Sequence, residues 1–164
     1  GKSLGLDETD LGALERGGFL HDIGKIAVPD AVLLKDGKLD QQESRVMRKH
    51  PVVGDALCAG LRSLNNVRPI VRHHHERLDG SGYPDGFKGE ESLPARIVAV
   101  ADVFDALTSE RPYKRAWTAD EAFDYMNAHR GTLFDPSCVD ALIAQRARIL
   151  EILDARLEPP AAES

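Results

Sequence analysis

The chain has 164 residues, 42% of them apolar and 29% charged, which suits one soluble domain with a sizeable hydrophobic core. Its net charge of −6 speaks against duplex nucleic acid as a partner unless a basic patch is gathered on one face. No apolar run is long enough to span a bilayer and the N-terminus lacks a signal-peptide profile, so a cytoplasmic protein with no membrane partner is expected. Cys58 and Cys138 stand outside any CxxC pair and read as buried small hydrophobes in a reducing compartment.

In chain order, Asp7, Glu8, Thr9 and Asp10 open a helix, since acidic residues suit the positive end of the helix dipole. Leu11, Ala13, Leu14, Phe19 and Leu20 predict that it is mostly buried and runs toward His21 and Asp22, with Gly24 as its stop. A short turn is expected over 31–34 and a tight turn at Asp36 and Gly37. Asp40 with Glu43 has the form of a capping box and predicts a helix to about His50, with Pro51 interrupting it or beginning the next. The stretch 51–61 reads as helical, with Val52, Ala56 and Ala59 on one side. A further helix over 67–77 carries the run His73, His74, His75.

The stretch 78–93 holds Gly80, Gly82, Gly86 and Gly89 and is expected to be irregular. Pro94 suits a helix start. The segment after it, through Thr108, reads as a buried helix because its apolar residues do not alternate. Thr118 with Glu121 opens a helix to about His129, and Asp135 with Pro136 opens one to about Leu153. The tail 158–164 is expected to be disordered. With no strand pair, repeat or linker, the fold class is all-α, one helical bundle over 1–157 with a Gly-rich loop.

The chemistry lies in scattered polar residues. Three consecutive histidines are hard to explain as packing, and His73 and His75 cannot share a helical face. Asp102 stands between Ala101 and Val103, where a carboxylate is costly to bury without a cation. His21, Asp22, His50, His74, His75 and Asp102 are ligand types for divalent Mn, Fe, Ni or Zn. Six such residues on four helices exceed what one tetrahedral ion needs and suit a two-metal site, the usual device for hydrolysing phosphate esters. His129 stands alone near a helix end and reads as structural.

These motifs in order resemble a known family. His21, Asp22, Ile23, Gly24, Lys25, Ile26, then Pro29 and Asp30, look like the signature of the HD superfamily of metal phosphohydrolases. With Lys49, His50, Pro51, then His74, His75, Glu76, Arg77, then Asp79 to Gly86 with Gly82, Tyr83 and Pro84, the chain is similar to the HD-GYP cyclic di-GMP phosphodiesterases. The resemblance continues through Asp102, Phe104, Asp105, Ala106, Leu107 and Thr108 to Arg111, Pro112 and Tyr113.

It implies hydrolysis of the 3′–5′ phosphodiester of cyclic di-GMP to pGpG and in some members GMP. Two divalent metal ions would serve as cofactors, iron or manganese ahead of nickel, zinc or magnesium. Asp22 would bridge them, with His50, His74 and His75 on one and His21 and Asp102 on the other. Lys25 would face the scissile phosphate and protonate the leaving oxygen. Arg111 and Lys114 would bind phosphate or guanine, and Asp105 would orient ligand or substrate. Tyr83 fits a substrate-facing or a structural role.

The resemblance further implies a sensory or receiver domain in the parent protein and a diguanylate cyclase as a possible partner. One departure stands out: family members place another metal-ligand His on an earlier helix, and no His precedes His21 here. That helix is missing or lies in a part of the protein outside this sequence; without it a weakened metal site is expected, with apolar surface that self-association as a homodimer would cover. A catalytically silent module that binds cyclic di-GMP or a partner protein, and a phosphohydrolase for another nucleotide, remain the alternatives.

Overall fold

The structure is a computed structural model that describes residues 1–89, 91–110 and 115–157. Arg111, Lys114 and the tail 158–164, about which the sequence made expectations, lie outside the described residues. The described residues form helices without a sheet, and an isolated bridge joins Arg130 and Phe134. The all-α expectation holds.

Helix α1 (Glu8–Leu20) starts where Asp7 accepts the Asp10 N–H and ends with His21 as its C-cap. The chain tightens into a 3-10 turn (Ile23–Ala27), so Gly24 sits inside that turn and is not the helix stop. Two short helices follow, α2 (Asp30–Leu33) and α3 (Gln41–Met47), the latter opened by the Asp40–Glu43 capping box. Helix α4 (His50–Ala59) begins at His50, with Pro51 in its first turn. His50 therefore opens a helix where the sequence reading had it closing one, which is the position Pro favours. Val52, Ala56 and Ala59 share the exposed side of α4; its buried side is His50, Pro51, Gly54 and Cys58.

Helix α5 (Arg68–His73) is shorter than the 67–77 expected, and His74 is its cap. The change of direction there turns His74 and His75 inward. Helix α6 (Leu93–Thr108) is the long central element, followed by α7 (Ala119–Ala128), α8 (Pro136–Ala144) and α9 (Arg146–Leu157). The single helix expected from Pro136 breaks at Gln145.

The core falls into three clusters. Val100 and Phe104 of α6 pack with Phe123 and Met126 of α7 and Val139 of α8, with Phe134 between. Ala13, Ile70 and Val98 join α1, α5 and α6. Cys58, Val67 and Val71 join α4 to α5. Both cysteines are free and buried, as expected. Phe19 departs from the expectation: it is 85% exposed, because α1 turns Ala13 and Gly17 inward. Phe19, Leu14, Ile97, Val98 and Ala101 instead wall an open groove whose polar end holds His21, Asp22, Lys25, Asp102 and Asp105.

A backbone contact positions the site. A Cβ at Gly24 would lie 1.9 Å from the His50 carbonyl oxygen and 2.6 Å from the Gly54 nitrogen. Only glycine lets the 3-10 turn lie against α4, and this contact brings Asp22 to His50.

Candidate metal centre

The ends of α1, α4 and α5 meet at one point, where side-chain donor atoms of Asp22, His50, His74 and His75 lie within 4.8 Å of one another. Asp22 Oδ1 is 3.2 Å from His50 Nε2 and 3.9 Å from His74 Nε2, and these two nitrogens are 3.3 Å apart. His21 and Asp102 flank this set. His21 Nε2 is 3.4 Å from Asp22 Oδ2 and 3.8 Å from Asp102 Oδ1; His75 Nδ1 is 3.9 Å from Asp102 Oδ2. All six sequence candidates thus gather at one place, Asp102 reaching it from within α6. Asp102 is half-buried on α6, less enclosed than its apolar neighbours in sequence suggested.

The protons on these rings follow from their backbone partners. Nδ1 of His21, His50 and His74 lies 2.7, 2.8 and 2.9 Å from the carbonyl oxygens of Gly18, Met47 and Val71, each three residues earlier. A carbonyl only accepts, so each Nδ1 carries its hydrogen and, in the neutral ring, Nε2 presents a lone pair. Two lone pairs, on His50 and His74, therefore face one another beside Asp22 Oδ1, a buried oxygen that accepts no hydrogen bond.

Protonation of His74 does not relieve the conflict at neutral pH. Burial, with His21 and His50 close by, pushes His74 down to about 3; burial with His74 and His50 pushes His75 down to about 2. Burial also opposes ionisation of Asp22, but contacts from His21, His50 and Lys25 outweigh it and hold the carboxylate well below its usual range. Asp22 in turn raises His21. An ionised acid beside the ring nitrogens of His50, His74 and His75 is a donor set for a divalent cation, and the backbone anchors of His50 and His74 give the ring orientation found in metal-bound histidines. The residues fit a metal.

Around the centre, Lys25 Nζ donates to Asp22 Oδ2 at 2.5 Å and borders the open groove. Asp105 is exposed and paired with Arg156 of α9 at 2.7 Å. Tyr83 stacks on His75, with centroids 4.7 Å apart and planes at 28°, and the Arg48 guanidinium lies 5.1 Å from its centroid. Burial pushes its hydroxyl up. His73, the outward member of the run, is 3.2 Å from Asp85. His129 donates to the Tyr125 carbonyl as a structural residue. The sequence reading gave no role to Arg48, Arg72, Glu76 or Asp85. The one available signal was a Glu directly after two ligand-type histidines.

An HD domain family model matches residues 1–138. The chain belongs to the HD domain family. It is 55% identical over 154 residues to the cyclic di-GMP phosphodiesterase response regulator RpfG of Xanthomonas campestris pv. campestris, covering 92% of this chain and 41% of that protein. It is 41% identical over 142 residues to the 3′3′-cGAMP-specific phosphodiesterase 3 of Vibrio cholerae, covering 86% of this chain and 31% of that one. The chain thus spans well under half the length of these relatives. A solved cyclic GMP-AMP specific phosphodiesterase of V. cholerae has the same fold, with a TM-score of 0.66 at 22% identity, over 93% of this chain and 42% of its own. The HD-GYP resemblance of the motifs stands within this family.

Proposed function

We propose that the chain is a metal-dependent phosphodiesterase module that opens the 3′–5′ phosphodiester of cyclic di-GMP to give pGpG. The observation that carries this reading is the convergence of donor atoms of Asp22, His50, His74 and His75, with Asp22 Oδ1 buried among them and accepting no hydrogen bond. The 55% identity to a protein named a cyclic di-GMP phosphodiesterase supports the choice of substrate.

Two divalent ions, iron or manganese, are the cofactor of this reading, one held by His50, His74, His75 and Asp22, the other by His21, Asp22 and Asp102. When bound they would polarise the phosphodiester and activate a water molecule. The rest of the work falls to the chain. Asp22, ionised and held between His21, His50 and Lys25, keeps negative charge at the junction of the two halves. In hydrolysis the oxygen of one water forms a new bond to phosphorus and the P–O3′ bond breaks. Lys25 gives its proton to the departing 3′ oxygen, and the proton lost by the water restores it. Arg111, Lys114, Asp105 and Tyr83 are the proposed contacts to phosphate and guanine, Arg being suited to bidentate recognition.

The same reading places the module in the cytoplasm; no helix of the described residues is long and apolar enough to cross a membrane. The greater length of the relatives supports a receiver or other sensory domain in the parent protein. Self-association through the exposed Phe19 belongs to this reading too.

The test is incubation of iron- or manganese-loaded protein with cyclic di-GMP, with products separated by chromatography. Linear pGpG is expected. The relatives named cGAMP-specific favour a second reading, in which 3′3′-cGAMP is preferred, and the same assay run in competition decides between the two. Tight binding of either dinucleotide without turnover would point to a silent module.

A further inference from the structure

Three of the four histidines at the centre, His21, His50 and His74, are oriented by main-chain carbonyls, but His75 has no such anchor among the described residues; its ring is stacked on Tyr83. What holds Tyr83 therefore bears on the centre. Its N–H donates to the His75 carbonyl at 3.2 Å. Gly82 lies so close to the segment 75–77 that a Cβ there would be 2.5 Å from Glu76 Cα and 2.6 Å from both Arg77 N and His75 O. The loop returns at Asp85 and Gly86, and there the Glu76 side chain, 6% exposed, receives it. Glu76 Oε1 accepts the N–H of Asp85 at 2.6 Å and of Gly86 at 3.1 Å, and Oε2 also accepts from Gly86 at 3.1 Å. A second fastener lies outside it: Arg72 of α5 donates from Nε and Nη2 to both oxygens of Asp85, at 2.8 and 2.9 Å, while its Nη1 reaches Asp55 of α4 at 3.4 Å.

We infer that Glu76 is a positioning residue of the metal centre: its buried carboxylate clamps the loop at Asp85 and Gly86, the clamp seats Tyr83, and Tyr83 sets the ring of His75. The inference rests on reading the centre as a metal site. An acid here suits the task because a carboxylate is acceptor-only and can take two successive backbone N–H groups at once. An amide at this position aims an N–H₂ group at backbone donors.

The test is metal affinity, measured by competition with a chelator using Mn(II) alone, on wild type, Glu76→Gln, Tyr83→Phe and Tyr83→Ala. Glu76→Gln and Tyr83→Ala are each expected to weaken binding about 10–100-fold, the range for partners that orient a ligand. Tyr83→Phe keeps the ring and with it the affinity. The double variant Glu76→Gln/Tyr83→Ala is expected to bind no more weakly than Tyr83→Ala, because both act through one contact. The His75 imidazole resonance should shift in the same variants that lose metal and stay put in Tyr83→Phe. If wild type binds no Mn(II), the metal reading of the centre fails. If wild type binds and Glu76→Gln binds as tightly, the positioning role is overturned while the metal reading stands. Should Glu76→Gln fail to fold, equal affinities of Tyr83→Phe and Tyr83→Ala would overturn it.

Discussion

Asp22 carries more of the centre than any other side chain, since its two oxygens face different groups, Oδ1 toward His50 and His74 and Oδ2 toward His21 and Lys25. Asp22→Asn puts an N–H₂ group or a neutral oxygen at that junction and should cut metal affinity by more than ~100-fold, since losing an orienting partner alone costs about 10–100-fold. Equilibrium dialysis against Mn(II) measures it. Lys25→Met is expected to differ in kind: kcat falls by about 10²–10⁴-fold, the usual worth of a positioned acid, while metal content by elemental analysis stays at the wild-type value. At this scale much was legible beforehand. Chemistry alone put forward the triple histidine and Asp102, which have few other uses; His21, Asp22 and His50 each had an ordinary structural reading and joined the set through the HD-GYP resemblance. The unpaired Asp22 oxygen and the opposed Nε2 atoms were not legible. They depend on where the carbonyls of Gly18, Met47 and Val71 fall once the helix ends are folded.

Among the elements, the contact of the 3-10 turn with α4 is the sensitive one. Gly24→Ala sets a methyl group against the His50 carbonyl and the Gly54 nitrogen; overpacking of this kind costs about 1–3 kcal/mol, read as a lower urea midpoint with an unchanged slope. The loop clamp should respond to pH. Arg72 beside Asp85 holds its carboxyl below the ordinary value of 3.8. A depressed acid stabilises the fold above the unfolded value, and that contribution is lost as pH falls through the folded value. Stability should therefore decline below about pH 4, and Asp85→Asn, already lacking the contribution, should show a shallower decline in acid-titrated urea melts. Capping boxes and Pro positions made the starts of α3, α4, α7 and α8 readable, and Pro51 could have identified His50 as a beginning. The break at Gln145 was not readable, since residues 144–147 contain neither Gly nor Pro.

For the molecule as a whole, a centre that joins α1, α4, α5 and α6 makes metal binding a contribution to folding. A ligand at 100 times its dissociation constant stabilises by about 2.7 kcal/mol, and a domain of this size shifts by about 2–4 °C per kcal/mol. Removing metal with a chelator should thus lower Tm by roughly 5–10 °C by these figures, with re-addition of Mn(II) restoring it in a thermal melt. If Phe19 drives self-association, Phe19→Ser should shift sedimentation toward the monomer, with a Tm equal to that of wild type diluted until it too is monomeric, since in the monomer the side chain is in water. The carbonyl anchors have an evolutionary corollary. Every amino acid brings a carbonyl, so substitutions at positions 18, 47 and 71 cannot delete the groups that aim three of the imidazoles. His75 leans on an aromatic side chain that one codon change removes. Among the groups that aim the imidazoles, mutational fragility is concentrated on a single spoke, and deep mutational scanning would find it in the glycine-rich loop.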